Sequence, residues 1–317
     1  MAPFLTSALS ALGGLTLLTI VYPIVSFALT YTRPSHLHRY LHSTSGKPAW
    51  ALVTGASAGI GKALAHELAS SGFNVVLHGR NASKLESVKA GLQKAHPTHE
   101  FRILVINAST CDVEPAAWIE EVLELVQDIN LTVLINNAGG ATRPTYGRLE
   151  EYDAKSIIET VHLNAMFPAL MTSTLIPVLL KNKPGLIINV GSLSDNGLPL
   201  LSFYSASKTF GSSLALSVAR EMELEHRDVE VITHRVGLVA GTGDNTHIQP
   251  SLFGPSGDVM AKAILARTGC GRKSVVPYWG HAVQQAATTL FPGWLADKLF
   301  ISVMKGLRED EWARNKK

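Results

Sequence analysis

Hydrophobic positions along this chain fall into distinct regimes. Residues 5–31 are apolar almost without interruption, whereas from residue 49 onward short apolar runs alternate with longer stretches of helical periodicity. The short runs, at 50–54, 74–78, 102–106, 132–136, 186–190, 229–234 and 274–277, are nearly continuous in hydrophobicity, the pattern of strands buried on both faces. Strands separated by helical patterns build βαβ units. The fold class expected is therefore α/β: a doubly wound, seven-stranded parallel sheet with helices on both faces, preceded by an N-terminal membrane helix.

The same pattern divides the chain. Residues 1–32 read as a membrane anchor, 33–48 as a basic juxtamembrane linker, 49–278 as one catalytic domain, and 279–317 as a C-terminal extension. Within the domain, 241–257 is rich in Gly, Pro, Asn, Ser and Asp without periodicity, the composition and length of a lid over a substrate or of a plain surface loop. In the extension, 294–304 is strongly apolar and reads equally as a membrane-contacting helix or as a core or dimer-packing helix.

No charged side chain occurs before Arg33, so the first segment is long enough to cross the roughly 30 Å hydrocarbon core of a bilayer. It lacks the positive start and short apolar core of a cleavable signal peptide. A retained span is expected, a hairpin or interfacial helix being the alternative. Arg33, His36, His38, Arg39, His42 and Lys47 follow at once, which puts that flank, and the rest of the chain, on the cytosolic side.

Composition sharpens this in three ways. Apolar residues make up 46% of the 317 and charged residues only 17%, a balance that favours lipid contact. A net charge of +3 with no Lys/Arg run excludes a nucleic-acid-binding surface. Cys111 and Cys270 are too few and too far apart for a disulfide framework or a CxxC metal site, so no metal is expected.

The first strand runs into Thr54-Gly55-Ala56-Ser57-Ala58-Gly59-Ile60-Gly61 and then into an apolar-periodic helix. Glycines at such a turn let backbone approach a pyrophosphate, and the helix amino end offers N–H groups to the anion. Gly55, Ser57, Gly59, Ile60 and Gly61 are thus the expected cofactor cradle of a Rossmann-type domain. After the second strand, His78-Gly79-Arg80-Asn81 lacks the acid that binds an NAD ribose, while Arg80 suits the 2'-phosphate of NADP. The cofactor expected is NADP(H).

Thr54 to Gly61, Asn136-Asn137-Ala138-Gly139 and Tyr204-Ser205-Ala206-Ser207-Lys208 together resemble, in order and spacing, the signatures of the short-chain dehydrogenase/reductase family. Carbonyl reduction needs a proton donor and a group that polarises the oxygen. Tyr204 suits the first role, with Lys208 four residues on, on the same helix face, to stabilise its phenolate. Ser192, after the fifth strand, suits the second.

The resemblance implies further that Asn164 holds a water in the proton relay and that Lys208 also binds the ribose. It implies that Asn136 and Asn137 serve the adenosine side and brace the central strands, with Asn107 or Asp112 at the adenine and the backbone of Val239 at the nicotinamide. Two departures from the pattern stand out: Thr242 falls one place late, and the stretch from Ser192 to Tyr204 is one residue short.

Over nearly the whole length the chain looks most like the membrane-bound very-long-chain 3-oxoacyl-CoA reductases and related 17-beta-hydroxysteroid dehydrogenases. That implies an endoplasmic reticulum enzyme reducing a lipophilic ketone, best a long-chain 3-oxoacyl-CoA, otherwise a steroid or secondary-metabolite ketone. A silent cofactor-binding scaffold is the reading from another class. Membrane lipid and a lipophilic small molecule are the expected partners, and a homo-oligomer is compatible with the sequence.

Overall fold

The computed structural model describes residues 2–111 and 115–316. Helix α1 (Ala2–Thr32) precedes a sheet domain in which β1 (Ala49–Val53), α2 (Gly59–Ser70), β2 (Asn74–Gly79), α3 (Ala82–Ala95) and β3 (Phe101–Val105) form the first half. The second half comprises α4 (Pro115–Val126), β4 (Asn130–Asn136), α5 (Ala154–Val161), α6 (Phe167–Lys181), β5 (Gly185–Ser192), α7 (Ser202–Leu224), β6 (Val229–Val236), α8 (Gly257–Ala266) and β7 (Ser274–Val275). Helices α9 (Trp279–Thr289) and α10 (Gly293–Asn315) follow.

All seven strands are parallel, in the order β3-β2-β1-β4-β5-β6-β7. The order reverses between β1 and β4, and the crevice at the carboxyl ends there is where such sheets bind ligands. One face packs Leu64 and Leu68 of α2, Leu85 of α3 and Ile264 of α8 against the sheet. The other packs Val122 of α4, Phe167 and Leu175 of α6 and Val218 of α7.

Strand positions agree with the hydrophobic runs to within two residues throughout, and two strands are informative. β3 is an edge, so only Phe101 and Leu104 are buried, and Arg102 covers it by a paired contact to Asp128 at 2.6 and 2.7 Å. β7 ends at Val275 rather than 277, because Pro277 has no N–H to continue the ladder.

Helix α1 is an uninterrupted 31-residue helix whose segment 6–32 has a mean hydropathy of 2.0, exposed over its most apolar 18 residues. The run Ala154–Lys181 passes the same length and apolarity test, yet 39% of its window is buried, and it is a core helix. The stretch 33–48 is packed rather than free. Its Tyr40 hydroxyl bonds Glu230, Thr132 Oγ1 donates to the Tyr40 carbonyl at 2.8 Å, and Arg39 pairs with Asp228 at 2.5 Å.

The segment 241–257 is pinned at both ends by the bridge between Ala240 and Ser256, and Ser256 then caps α8. Its tip turns back through a bridge between Ser251 and Gly254 and leaves Leu252 and Phe253 exposed. Helix α10 takes in the apolar stretch 294–304 but buries only Met304 there. Further on its Glu311 is buried, accepting from the N–H groups of Thr145 and Tyr146 at 2.8 and 3.1 Å.

Candidate active site

Four side chains converge at the carboxyl ends of β4 and β5. Tyr204 and Lys208 lie one turn apart near the start of α7, and Ser192 ends β5. Asn164 sits in a π-helical turn, His162–Met166, between α5 and α6. Such a turn widens a helix by a residue and is common at functional sites. Here it lets the Asn164 amide donate to the Gly140 carbonyl at 2.8 Å while its oxygen accepts from the Gly140 N–H at 3.0 Å.

A β-carbon on Gly139 would stand 2.8 Å from both the Asn164 Oδ1 and the Lys208 Nζ, so these two groups meet at that glycine. Lys208 also donates to the Val190 carbonyl at 3.1 Å. Its ammonium stands 5.9 Å from the centre of the Tyr204 ring.

The Tyr204 hydroxyl bonds the hydroxyls of Ser192 and Ser194, which lie 2.8 Å from each other. Burial raises the Tyr204 pKa, those two hydroxyls pull it back down, and the Asp195 carboxylate raises it. Lys208 is itself buried, and loss of hydration lowers its pKa to about 8. Asp195 is held by Arg235 through 2.5 and 2.8 Å bonds, which tie the loop after β5 to the end of β6.

The glycine turn is built for close approach. A β-carbon on Gly61 would fall 2.2 Å from the Gly55 carbonyl oxygen and 2.5 Å from the Asn137 amide nitrogen, which excludes any side chain there. Gly55 and Gly59 adopt φ of +68° and +54°. No side chain caps the amino end of α2, so its first N–H groups point into the crevice unclaimed by a neighbouring residue. Beneath the turn, His78 accepts from the Gly55 N–H at 3.4 Å, and burial pushes its pKa down to about 4.

The remaining candidates divide. Ser57 turns its hydroxyl toward Gly79, 3.6 Å from where a β-carbon would stand, and Ile60 packs on the core. Arg80 stands exposed at the end of β2, with no ion pair among the described residues. Val239 is buried, and its carbonyl accepts from the Thr242 hydroxyl at 2.9 Å.

Asn136 is buried and its amide donates to Thr172 Oγ1 at 2.9 Å, bracing β4 against α6. The adjacent Asn137 holds the glycine turn, donating to the Thr54 carbonyl at 2.9 Å. Asn107 lies two residues past β3, its oxygen accepting from the Ser109 hydroxyl at 3.0 Å, while Asp112 lies outside the described residues.

Two residues, Ser194 and His281, were given no role in the sequence reading, and Thr242 was noted there only as one place late. Ser194 carries only the weak signal of standing two residues past Ser192. Thr242, displaced in sequence, still reaches the glycine turn, its Cβ 3.2 Å from a Gly59 β-carbon. His281 of α9 accepts from the Gly237 N–H at 3.0 Å and donates to the Leu238 carbonyl at 3.0 Å, fixing the segment after β6.

The short chain dehydrogenase family matches residues 49–251, from the first residue of β1 into the segment 241–257. The chain belongs to that family. It is 32% identical to a very-long-chain 3-oxoacyl-CoA reductase-like protein of Arabidopsis thaliana, over 94% of this chain and 92% of that one. It is 31% identical to a very-long-chain 3-oxoacyl-CoA reductase of Caenorhabditis elegans, over 82% and 81%. A metagenomic short-chain oxidoreductase solved in complex with NADP superimposes with a TM-score of 0.57 at 27% identity, over 72% of this short-chain dehydrogenase and 96% of the other.

Proposed function

We propose that this short-chain dehydrogenase reduces a ketone on a lipophilic substrate with NADPH, the best candidate being a long-chain 3-oxoacyl-CoA converted to its 3-hydroxy form. The observation that carries the reading is the convergence of the Tyr204, Ser192, Lys208 and Asn164 side chains beside a glycine turn that accepts no side chain at Gly61. The names of the plant and nematode relatives supply the substrate class.

The crevice suits a dinucleotide. The uncapped α2 terminus supplies N–H donors for a pyrophosphate, and exposed Arg80 supplies a cation for a 2'-phosphate. When bound, the nicotinamide supplies a hydride to the carbonyl carbon. The chain's own residues do the rest. Ser192 donates a hydrogen bond to the carbonyl oxygen, orienting it and stabilising the charge that develops there. Tyr204 delivers the proton to that oxygen. Ser194 steadies the Tyr204 and Ser192 hydroxyls, and Lys208 with Asn164, meeting at Gly139, restores the proton to Tyr204. In this reading Lys208 acts through the relay and the ribose rather than by touching the phenol.

The anchored domain works at the cytosolic face of the endoplasmic reticulum membrane, a placement supported by α1, by the basic residues from Arg33 to Lys47, and by the class of the relatives. The test is a substrate panel with the full chain in detergent, NADPH and NADH in parallel. Long-chain 3-oxoacyl-CoA should drive NADPH oxidation. Tyr204→Phe should lower kcat by roughly 10²–10⁴-fold while NADPH still binds. Turnover unchanged in that variant overturns the chemistry, and turnover confined to steroid ketones overturns the substrate.

A further inference from the structure

From Ser274 to Ala296 the chain carries no Asp, Glu, Lys or Arg, although much of this stretch is exposed. In α9 the exposed positions Trp279, Val283, Ala286, Ala287 and Leu290 follow the i, i+4, i+7, i+8, i+11 spacing of one helix face. The inward face, with buried Gly280 and His281, packs on the domain. Its outer side is uncharged, with Gln284 and Thr289 flanking the apolar stripe, and has no protein cover among the described residues. Beyond it the turn into α10 presents Leu290 at 84% exposure, Phe291 at 45% and Trp294 at 63%. A water-facing surface rarely groups such residues.

The position of α1 identifies what covers this face. A cavity of about 340 Å³ lies between the two elements, lined by Tyr22, Ser26 and Thr30 of α1 and by Ala282 and Gln285 of α9. Tyr31 bonds the Val276 carbonyl at 2.6 Å, and Ser26 bonds Arg272, so α1 is fixed against this side of the domain. Residues 2–21 precede that contact, and at about 1.5 Å per residue they cover roughly 30 Å, the thickness of the hydrocarbon core. A bilayer crossed by this part of α1 ends near Tyr22, which lines the same cavity as Ala282 and Gln285 of α9. Trp294, with Lys298 stacked 5.2 Å over its ring, has the amphipathic character of a residue at the lipid–water boundary.

We propose that the outer face of α9 and the α9–α10 corner form a second membrane contact, seated in the headgroup–acyl boundary of the leaflet from which α1 emerges. The lid joins this surface. A β-carbon on Gly280 would stand 2.8 Å from the Leu252 carbonyl oxygen, and His281 bonds the backbone of Leu238 and Phe253. Exposed Leu252 and Phe253 thus sit beside α9, and the contact holds the lid at the bilayer surface, where a lipophilic molecule arrives from lipid rather than from water. The contact itself does not depend on which ketone is reduced.

The test is photocrosslinking with the full chain reconstituted in phosphatidylcholine vesicles. Leu290→p-benzoylphenylalanine leaves the core untouched because Leu290 is 84% exposed, and the same replacement at exposed Glu86 on α3 is the control. Irradiation should yield a phosphatidylcholine adduct from position 290 and none from position 86, read by mass spectrometry. Equal lipid labelling at both positions, or none at either, overturns the proposal. A covalent dimer formed through position 290 also overturns it, since the occupant is then a second copy of the chain.

Discussion

Asn164 and Lys208 share a single small space: the amide oxygen of one and the ammonium of the other each lie 2.8 Å from where Gly139 would carry a β-carbon. The one glycine of the Asn136-Asn137-Ala138-Gly139 stretch thus leaves the room that these two side chains fill. A methyl group there displaces both, and misplacement of reacting groups by about 1 Å costs up to roughly 10²-fold in rate. Gly139→Ala should accordingly lower kcat by about 10–100-fold. Its melting temperature should stay near wild type, since the Lys208 end is a flexible chain that yields. Calorimetry beside steady-state kinetics checks both halves.

Arg80 should set the choice of dinucleotide. A charge-assisted pair with a 2'-phosphate contributes about 1.5–3 kcal/mol, or roughly 10–100-fold in affinity. Arg80→Ala should weaken NADPH binding by that factor and leave NADH unchanged, and Arg80→Glu should invert the preference. Titration of both nucleotides by fluorescence decides it. Equal loss for both would mean that Arg80 serves the turn and not the phosphate.

Acid should loosen the glycine turn. His78 titrates near pH 4 in the folded protein because burial disfavours its charge, against 6.5 in the unfolded chain. The unfolded state therefore binds more protons between these values, and the stability from keeping His78 neutral is complete above pH 6.5 and is lost as pH falls toward 4. The span corresponds to roughly 3 kcal/mol. His78→Asn keeps an acceptor for the Gly55 N–H but does not titrate, so its denaturation midpoint should fall less steeply over that range. Urea melts at several pH values measure the slope.

How much of this could be read from the sequence varies with the range over which the cause acts. The strands were legible because burial on both faces leaves a nearly continuous apolar run, and the glycine turn because Gly55, Gly59 and Gly61 each answer a local steric demand. The partner of Asn136 was not legible, because an Asn at a strand end looks the same whether it faces a crevice or, as here, donates to Thr172 across the core. Thr242 seemed misplaced because its approach to Gly59 is made in space by a loop whose path no local rule specifies. His281 lies 44 residues from the Gly237 N–H that it fixes, and no periodicity encodes such a contact.

Ser192 and Ser194 should separate in kinetics although both bond Tyr204. Ser192 ends β5 and is the hydroxyl assigned to the carbonyl oxygen, so Ser192→Ala removes a donor to developing charge and should cost roughly 10²–10³-fold in kcat. Ser194 is buried behind it, and its share is one neutral hydrogen bond that pulls the Tyr204 pKa downward. Losing such a bond costs about 1 kcal/mol, or roughly five-fold. Ser194→Ala should therefore slow turnover only modestly, and it should move the alkaline limb of the pH–rate profile upward, because the phenol has lost a group that stabilises its ionised form. Profiles of kcat/KM for both variants provide the check. If Ser194→Ala proves as damaging as Ser192→Ala, with no shift in the profile, then the second hydroxyl is the one that meets the substrate, and the roles of the two serines must be exchanged.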